Sequence, residues 1–184
     1  MGYTHYWYQK KDFDNLQWEQ ITNVALELCN SMEGRKTLGI EKKQADVVNI
    51  NNQSISFNGK QKYNLDHETF CLDRNVQFDE YDDPSKGAFN FCKTAQKPYD
   101  KFVTAMLIAV NVLAPDVMSK ITSDGWDDEW VEGCELLNKT VNIFKYGSRQ
   151  AVIPDGVEPR PKTQPSKMVE ALKSMGKLEI YDER

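Results

Sequence analysis

The chain has 184 residues, 40% of them hydrophobic and 11% aromatic, with 23 Lys and Arg against 28 Asp and Glu for a formal net charge of −5. That is long enough to bury a core without disulfide or metal staples, and the composition is that of a globular protein rather than a disordered or fibrous one. The acidic balance argues against coating of duplex nucleic acid, which needs a net positive face, and leaves room for a local basic pocket.

The opening segment Tyr3 to Tyr8 is dense in aromatics and reads as a strand, with Tyr3, His5 and Trp7 on one face and Thr4, Tyr6 and Tyr8 on the other. It lacks a basic stretch leading into an apolar run, so no secretory leader is expected. Asp12 or Asp14 can cap a helix in which Leu16, Ile21, Val24, Ala25, Leu28 and Met32 recur at helical spacing, with Gly34 as its stop. Val47 to Ile50 and Ser54 to Phe57 flank Asn51-Asn52-Gln53 as a hairpin, and Asn58-Gly59 makes a second turn. Thr69 to Leu72 is a further strand, followed by the solvated acidic loop Asp79 to Pro84.

Gly87 to Cys92 reads as a strand ending in the polar turn Lys93 to Lys97, with Pro98 as the first residue of a helix. That helix is apolar almost all round and must end by Pro115, which makes it the buried central helix. Its apolar run, Phe102 to Ala114, is too short to span a bilayer, so no membrane association is expected. Val117 to Thr122 reads as another strand. Ser123-Asp124-Gly125 then leads into a helix with Trp126, Trp130, Cys134, Leu137, Val141 and Phe144 along one side and Gly147 as its C-cap. Four of the seven prolines fall between residues 154 and 165, the mark of a linker or a strap, and Ser166 can cap a short closing helix. The expected architecture is α+β, a mostly antiparallel sheet with helices packed on one face. A core over residues 1–147 is followed by a Pro-rich linker and short helix over 148–184, which offers a surface for homo-oligomerisation.

The four cysteines, Cys29, Cys71, Cys92 and Cys134, show no CxxC spacing and read as reduced, buried thiols of a cytoplasmic protein. With two histidines and no HExxH, EF-hand, GxGxxG, P-loop or GxSxG pattern, neither a metal nor a cofactor is expected. His67-Glu68-Thr69 has the His-x-Thr spacing of one half of a 2H phosphodiesterase, whose two halves act as acid and base. The other half would be His5-Tyr6-Trp7, where Trp7 supplies no hydroxyl. Lys93, Thr94 and Lys97 lie between a strand and the N-terminus of the central helix, where free N–H groups favour an anion, and Arg74 could join them. Tyr3, Tyr6, Trp7, Tyr99 and Trp126 could stack on a base or sugar. The plain alternative is that the lysines are solvated, the aromatics are core, and Asp124, Asp127 and Asp128 are helix caps.

The blocks Gly2-Tyr3-Thr4-His5-Tyr6-Trp7, Glu68-Thr69-Phe70, Phe91-Cys92-Lys93-Thr94-Ala95 with Lys97-Pro98-Tyr99-Asp100, and Ser123-Asp124-Gly125 with Asp127, Asp128 and Trp130 resemble a group of small proteins of bacteriophages and prophages. The resemblance spans most of residues 1–135 and implies a phage accessory protein acting in the host cytoplasm, with no catalytic residue to carry over. Together these readings lead to a counter-defence protein that sequesters a small anionic ligand, such as a nucleotide-derived immune signal. The ligand-binding candidates are Tyr3, His5, Trp7, Arg74, Lys93, Thr94, Lys97, Tyr99, Asp124 and Trp126. One alternative is hydrolysis of such a signal by His5 and His67; another is inhibition of a host enzyme through the acidic surface of Asp79 to Asp83 and Asp127 to Glu129.

Overall fold

The computed structural model describes residues 2–39, 48–147 and 151–161. Their elements run β1 (Thr4–Gln9), α1 (Asn15–Asn30), α2 (Met32–Thr37), β2 (Val48–Ile50), β3 (Ser54–Phe57), β4 (Phe70–Asp73), β5 (Ala88–Lys93), α3 (Asp100–Leu113), β6 (Met118–Ser123) and α4 (Val131–Thr140). The fold is α+β. The strands form not one sheet but two antiparallel ones of three strands each, ordered β5-β1-β6 and β2-β3-β4.

Alternation along β1 decides how the first sheet is used. Tyr3, His5, Trp7 and Gln9 are buried beneath the sheet, while Tyr6 and Tyr8 stay half-buried on its outer face. β5 follows the same parity, with Cys92 inward opposite His5, and Phe89 and Phe91 outward opposite Tyr8 and Tyr6. The β2-β3 hairpin forms as expected, its turn held by the Asn51 side chain, which accepts the Gln53 and Ser54 backbone N–H groups. Trp7 meets Phe70 of β4 at a ring separation of 5.6 Å, joining the two sheets in one core.

α3 runs through the centre, with every residue from Phe102 to Val110 buried. Each large apolar side chain so covered contributes about 1.5–3 kcal/mol. Its crossing with α4 is close because Gly133 lies against Thr104; a Cβ at Gly133 would stand 2.0 Å from the Thr104 hydroxyl oxygen. Among the described residues no helix is long and apolar enough to cross a membrane.

Several local expectations change. Asp14 caps α1 through a reciprocal pair with Gln17, yet Leu16 and Met32 are 63% and 75% exposed rather than on the buried face, which Trp18 occupies instead. Gly34 does not stop the helix. It sits inside α2, where only a hydrogen side chain fits beneath the Leu28 carbonyl, and Ser31 makes the break by capping α2. α3 starts at Asp100, with Pro98 in the turn before it. The helix foreseen from Trp126 to Phe144 is three pieces: a 3-10 turn over Asp127–Trp130, α4, and a second 3-10 turn over Ile143–Tyr146 closed by Gly147 in the left-handed region (φ 80°). Phe144 is consequently 63% exposed. Of the thiols, Cys29 and Cys92 are buried, but Cys71 is exposed and Cys134 half-buried.

Residues 151–161 form a strap on this core. Ala151 and Val157 are buried in it, the Asp127 N–H donates to the Glu158 carbonyl, and Arg160 pairs with Asp128 through Nε at 2.8 Å. The expected closing helix after Ser166 lies outside the described residues.

Candidate functional site

Three chain segments meet where β1 begins, β5 ends and β6 ends. The Thr94 and Ala95 N–H groups both donate to the Tyr3 carbonyl, and the Asp124 N–H donates to that of Thr4. This brings the N-terminus of α3 under the start of β1. His5 faces inward there, 0% exposed, and its Nε2 lies 2.8 Å from Asp100 Oδ1. Its Nδ1 lies 3.1 Å from the Ser123 hydroxyl, which also accepts the Gly125 N–H. The Thr94 hydroxyl donates to the same Asp100 oxygen. Tyr3 and Trp130 pack edge-on against the imidazole at ring separations of 5.2 and 5.1 Å. The result is a continuous hydrogen-bonded chain, Ser123–His5–Asp100–Thr94, with His5 and Thr94 buried and the imidazole clamped between two aromatic rings.

Asp100 reaches the surface, with 16% of its side chain exposed. It lines a pocket of about 560 Å³ together with Tyr3, Gln96, Lys97, Lys101, Asp128, Glu129, Glu132 and Arg160. Such a volume lies in the range of small-molecule sites. The walls are of mixed charge. Lys97 is anchored by the Asn64 carbonyl and side-chain oxygens at 2.8 and 3.1 Å, Lys101 pairs with Glu33, and Arg160 bridges Asp128 and Glu129. Burial, together with the carboxylates of Asp100 and Glu129, holds the Tyr3 phenol well above its ordinary range, so it faces the pocket protonated.

The turn that feeds the pocket is strained. Ala95 and Gln96 both have positive φ, 50° and 55°, and the Lys97 N–H donates to the Thr94 carbonyl. This is a type I′ turn, whose two central positions suit Asn and Gly rather than Ala and Gln. Left-handed backbone at a residue with a Cβ costs on the order of 1–2 kcal/mol, and such strain gathers at functional sites.

The ten sequence-selected residues do not share one place. Tyr3 and Lys97 line the pocket, and His5 and Thr94 stand directly behind Asp100. Trp7 and Tyr99 are core, 1% and 0% exposed, and offer no stacking surface; the Tyr99 hydroxyl donates to the Glu68 carbonyl at 2.5 Å. Lys93 and Asp124 belong to the outer side, Lys93 lying over Gly2 and Asp124 accepting the Tyr6 hydroxyl at 3.1 Å. Trp126 is half-buried and heads the 3-10 turn, its N–H donating to Glu129. Arg74 does not approach Lys93. Its backbone carbonyl lies beside Gln9 whereas Lys93 pairs with Thr4, so the two flank opposite ends of β1, roughly 17 Å apart at strand rise. There Arg74 ties Asn15 to Asn52.

The two histidines also have separate settings. His67 is exposed, its Nδ1 2.8 Å from the Lys93 carbonyl, while His5 is enclosed among Asp100, Ser123, Tyr3 and Trp130. Among the described residues no group of three or more His, Cys, Asp or Glu side chains could hold a metal ion. The carboxylates of the acidic loop are turned to local work: Asp79, Asp82 and Asp83 accept N–H groups of Tyr81, Asp79, Phe89 and Ser85.

Asp100, Ser123, Gln96, Lys101 and Arg160 are not among the sequence candidates, and Glu129 counts there only as part of an acidic surface. Asp100 and Ser123 stood inside the blocks that carry the phage resemblance, and a chain with two histidines invites a search for the carboxylate that partners each. Arg160 gave no local signal, because the strap brings it across the fold.

Fold and site together define an α+β protein with a mixed-charge pocket at the N-terminus of its central helix, floored by a carboxylate that a buried imidazole holds in place. The chain matches no family model, no curated protein and no solved structure.

Proposed function

We propose that the protein binds and sequesters a small phosphate-bearing ligand of nucleotide size in the Asp100 pocket. The observation that carries this reading is the pocket at the start of α3, with Lys97, Lys101 and Arg160 on its walls and a positioned carboxylate on its floor. A helix N-terminus and adjacent lysines favour a phosphate. Asp100, Asp128 and Glu129 offer acceptors for the hydroxyl and amino donors of a ribose and base, which suits a ligand that is anionic at one end and hydrogen-bond-donating at the other. Lys101 and Arg160 take the part expected of Lys93 and Arg74. Binding without turnover is favoured because His5 is fully enclosed and so presents no ring nitrogen to a ligand. The resemblance to phage proteins supplies the setting, removal of a nucleotide-derived defence signal in the host cytoplasm.

The test is calorimetry of the purified protein against nucleoside mono- and diphosphates and cyclic mono- and dinucleotides, followed by chromatography of the recovered ligand. Intact recovered ligand and loss of binding in Lys97→Glu are expected. An altered ligand would replace sequestration by catalysis, and a panel with no binder would overturn the reading.

A further inference from the structure

The outer face of the β5-β1-β6 sheet presents four aromatic rings with no aliphatic side chain between them. Tyr6 pairs across the strands with Phe91, and Tyr8 with Phe89. Phe89 lies 6.1 Å from Tyr6, 5.3 Å from Tyr8 and 6.0 Å from Phe91 between ring centroids, so the four form one platform. Phe89 and Phe91 are 45% and 55% exposed. Along β6 the same rows continue as Thr122 beside Tyr6 and Lys120 beside Tyr8.

At the Tyr8 end the platform opens into a second pocket, of about 460 Å³, lined by Tyr8, Lys10, Ser85, Lys86, Ser119 and Lys120. Three lysines and two hydroxyl residues converge there without an acidic side chain in the lining. Lys10 and Lys120 form no ion pair with a described residue, and Lys86 makes one solvent-exposed pair with Asp83. The acidic loop lies directly beside this pocket: Asp79, Asp82 and Asp83 share a pocket with Tyr8, Lys86 and Phe89, and Asp83 pairs with Lys86 and accepts the Ser85 hydroxyl. Its Asp79 and Asp82 carboxylates already accept backbone N–H groups.

We infer that this face binds single-stranded nucleic acid, with bases stacked on the exposed Phe89 and Phe91 rings and the backbone phosphates led into the Lys10–Lys86–Lys120 pocket. Phe89 is near-parallel to both Tyr6 and Phe91, at interplanar angles of 19° and 28°, while Tyr8 is tilted 52° from it, so the exposed Phe89 and Phe91 rings are the ones a base can meet. Stacking on aromatic rings tolerates any base, and a local lysine cluster supplies the phosphate contact that the net charge of the chain does not. A duplex hides its base faces and gains nothing from the platform. The site lies on the opposite side of the sheet from the Asp100 pocket and stands independently of the ligand proposed there.

The experiment is fluorescence anisotropy with a labelled oligouridine, a labelled oligodeoxythymidine and a labelled duplex of equal length. Single strands should bind and the duplex should not. With three lysines neutralising phosphates, affinity should fall about twentyfold between 50 and 200 mM salt. Phe91→Ala and Phe89→Ala should each weaken binding at least about fivefold. Lys120→Glu should weaken it and reduce the salt dependence, while Lys97→Ala should leave it unchanged. Both phenylalanines are half exposed, so each variant should stay folded with a modest fall in melting temperature from the lost cross-strand ring contacts. Absence of single-strand binding at 50 mM salt, or binding indifferent to the phenylalanine variants, overturns the proposal. So does a dimer in sedimentation that dissociates in those variants, because the face would then belong to a second copy of the chain.

Discussion

Replacing Asp100 by alanine removes the one acceptor shared by two buried groups. His5 Nε2 at 2.8 Å and the Thr94 hydroxyl both meet Asp100 Oδ1, and both residues are 0% exposed. A buried polar group left without its partner costs about 1–3 kcal/mol. The opening toward the pocket lets water reach the vacated position and lowers the sum, so Asp100→Ala should destabilise by about 3 kcal/mol. In a chain of this length that corresponds to a fall of roughly 6–12 °C in Tm. Asp100→Asn keeps an oxygen where both donors need it and loses only the charge-assisted part of each bond, so it should cost about 1 kcal/mol. Differential scanning calorimetry at pH 7 separates the two variants. A melting temperature for Asp100→Ala within about 2 °C of the parent would refute the claim that this carboxylate organises the cluster. Equal losses in the two variants would show that charge rather than acceptor position holds it.

Ala95→Gly should raise stability by about 1 kcal/mol in urea denaturation, because relief of the left-handed strain exceeds the added chain entropy of glycine; an unchanged midpoint would contradict the strain. Gly133→Ala should lower stability by about 1–3 kcal/mol despite the better helix propensity of alanine, since the new methyl would meet the Thr104 hydroxyl and the Ala105 N–H at the α3–α4 crossing; a stabilised variant would show that the crossing can open. Burial pushes the Cys29 and Cys92 thiols up to about 12 from a usual value near 9. The unfolded chain therefore releases those protons first, and stability is full below pH 9 and lost progressively as pH rises toward 12, by at most about 1.4 kcal/mol per thiol per pH unit. Urea melts at pH 8 and pH 10.5 should show the loss, and Cys29→Ala should make it shallower. Under native conditions a thiol reagent should modify Cys71 before Cys29 and Cys92, as counted by mass spectrometry.

The sequence by itself determined what depends on near neighbours. The alternation of β1, the Asn51 hairpin turn, the Asp14 cap, the buried run of α3 and the stop before Pro115 follow from periodicity and turn chemistry, which act over a few residues. Tertiary structure decided everything that needed two distant segments to meet. Which face of α1 packs, and so why Leu16 and Met32 are exposed, depends on the sheet that receives Trp18. Trp7 and Tyr99 looked like stacking groups because an aromatic side chain carries no mark of which side will be covered. The partnership of His5 with Asp100 spans 95 positions, and Arg160 reaches the same pocket from a strap that its own composition marks only as extended. Chain composition gave a single charge of −5. Folding divided it into an acidic loop that satisfies its own backbone, a mixed-charge pocket and a lysine cluster, because electrostatic function is set by the few ångströms between groups rather than by their sum.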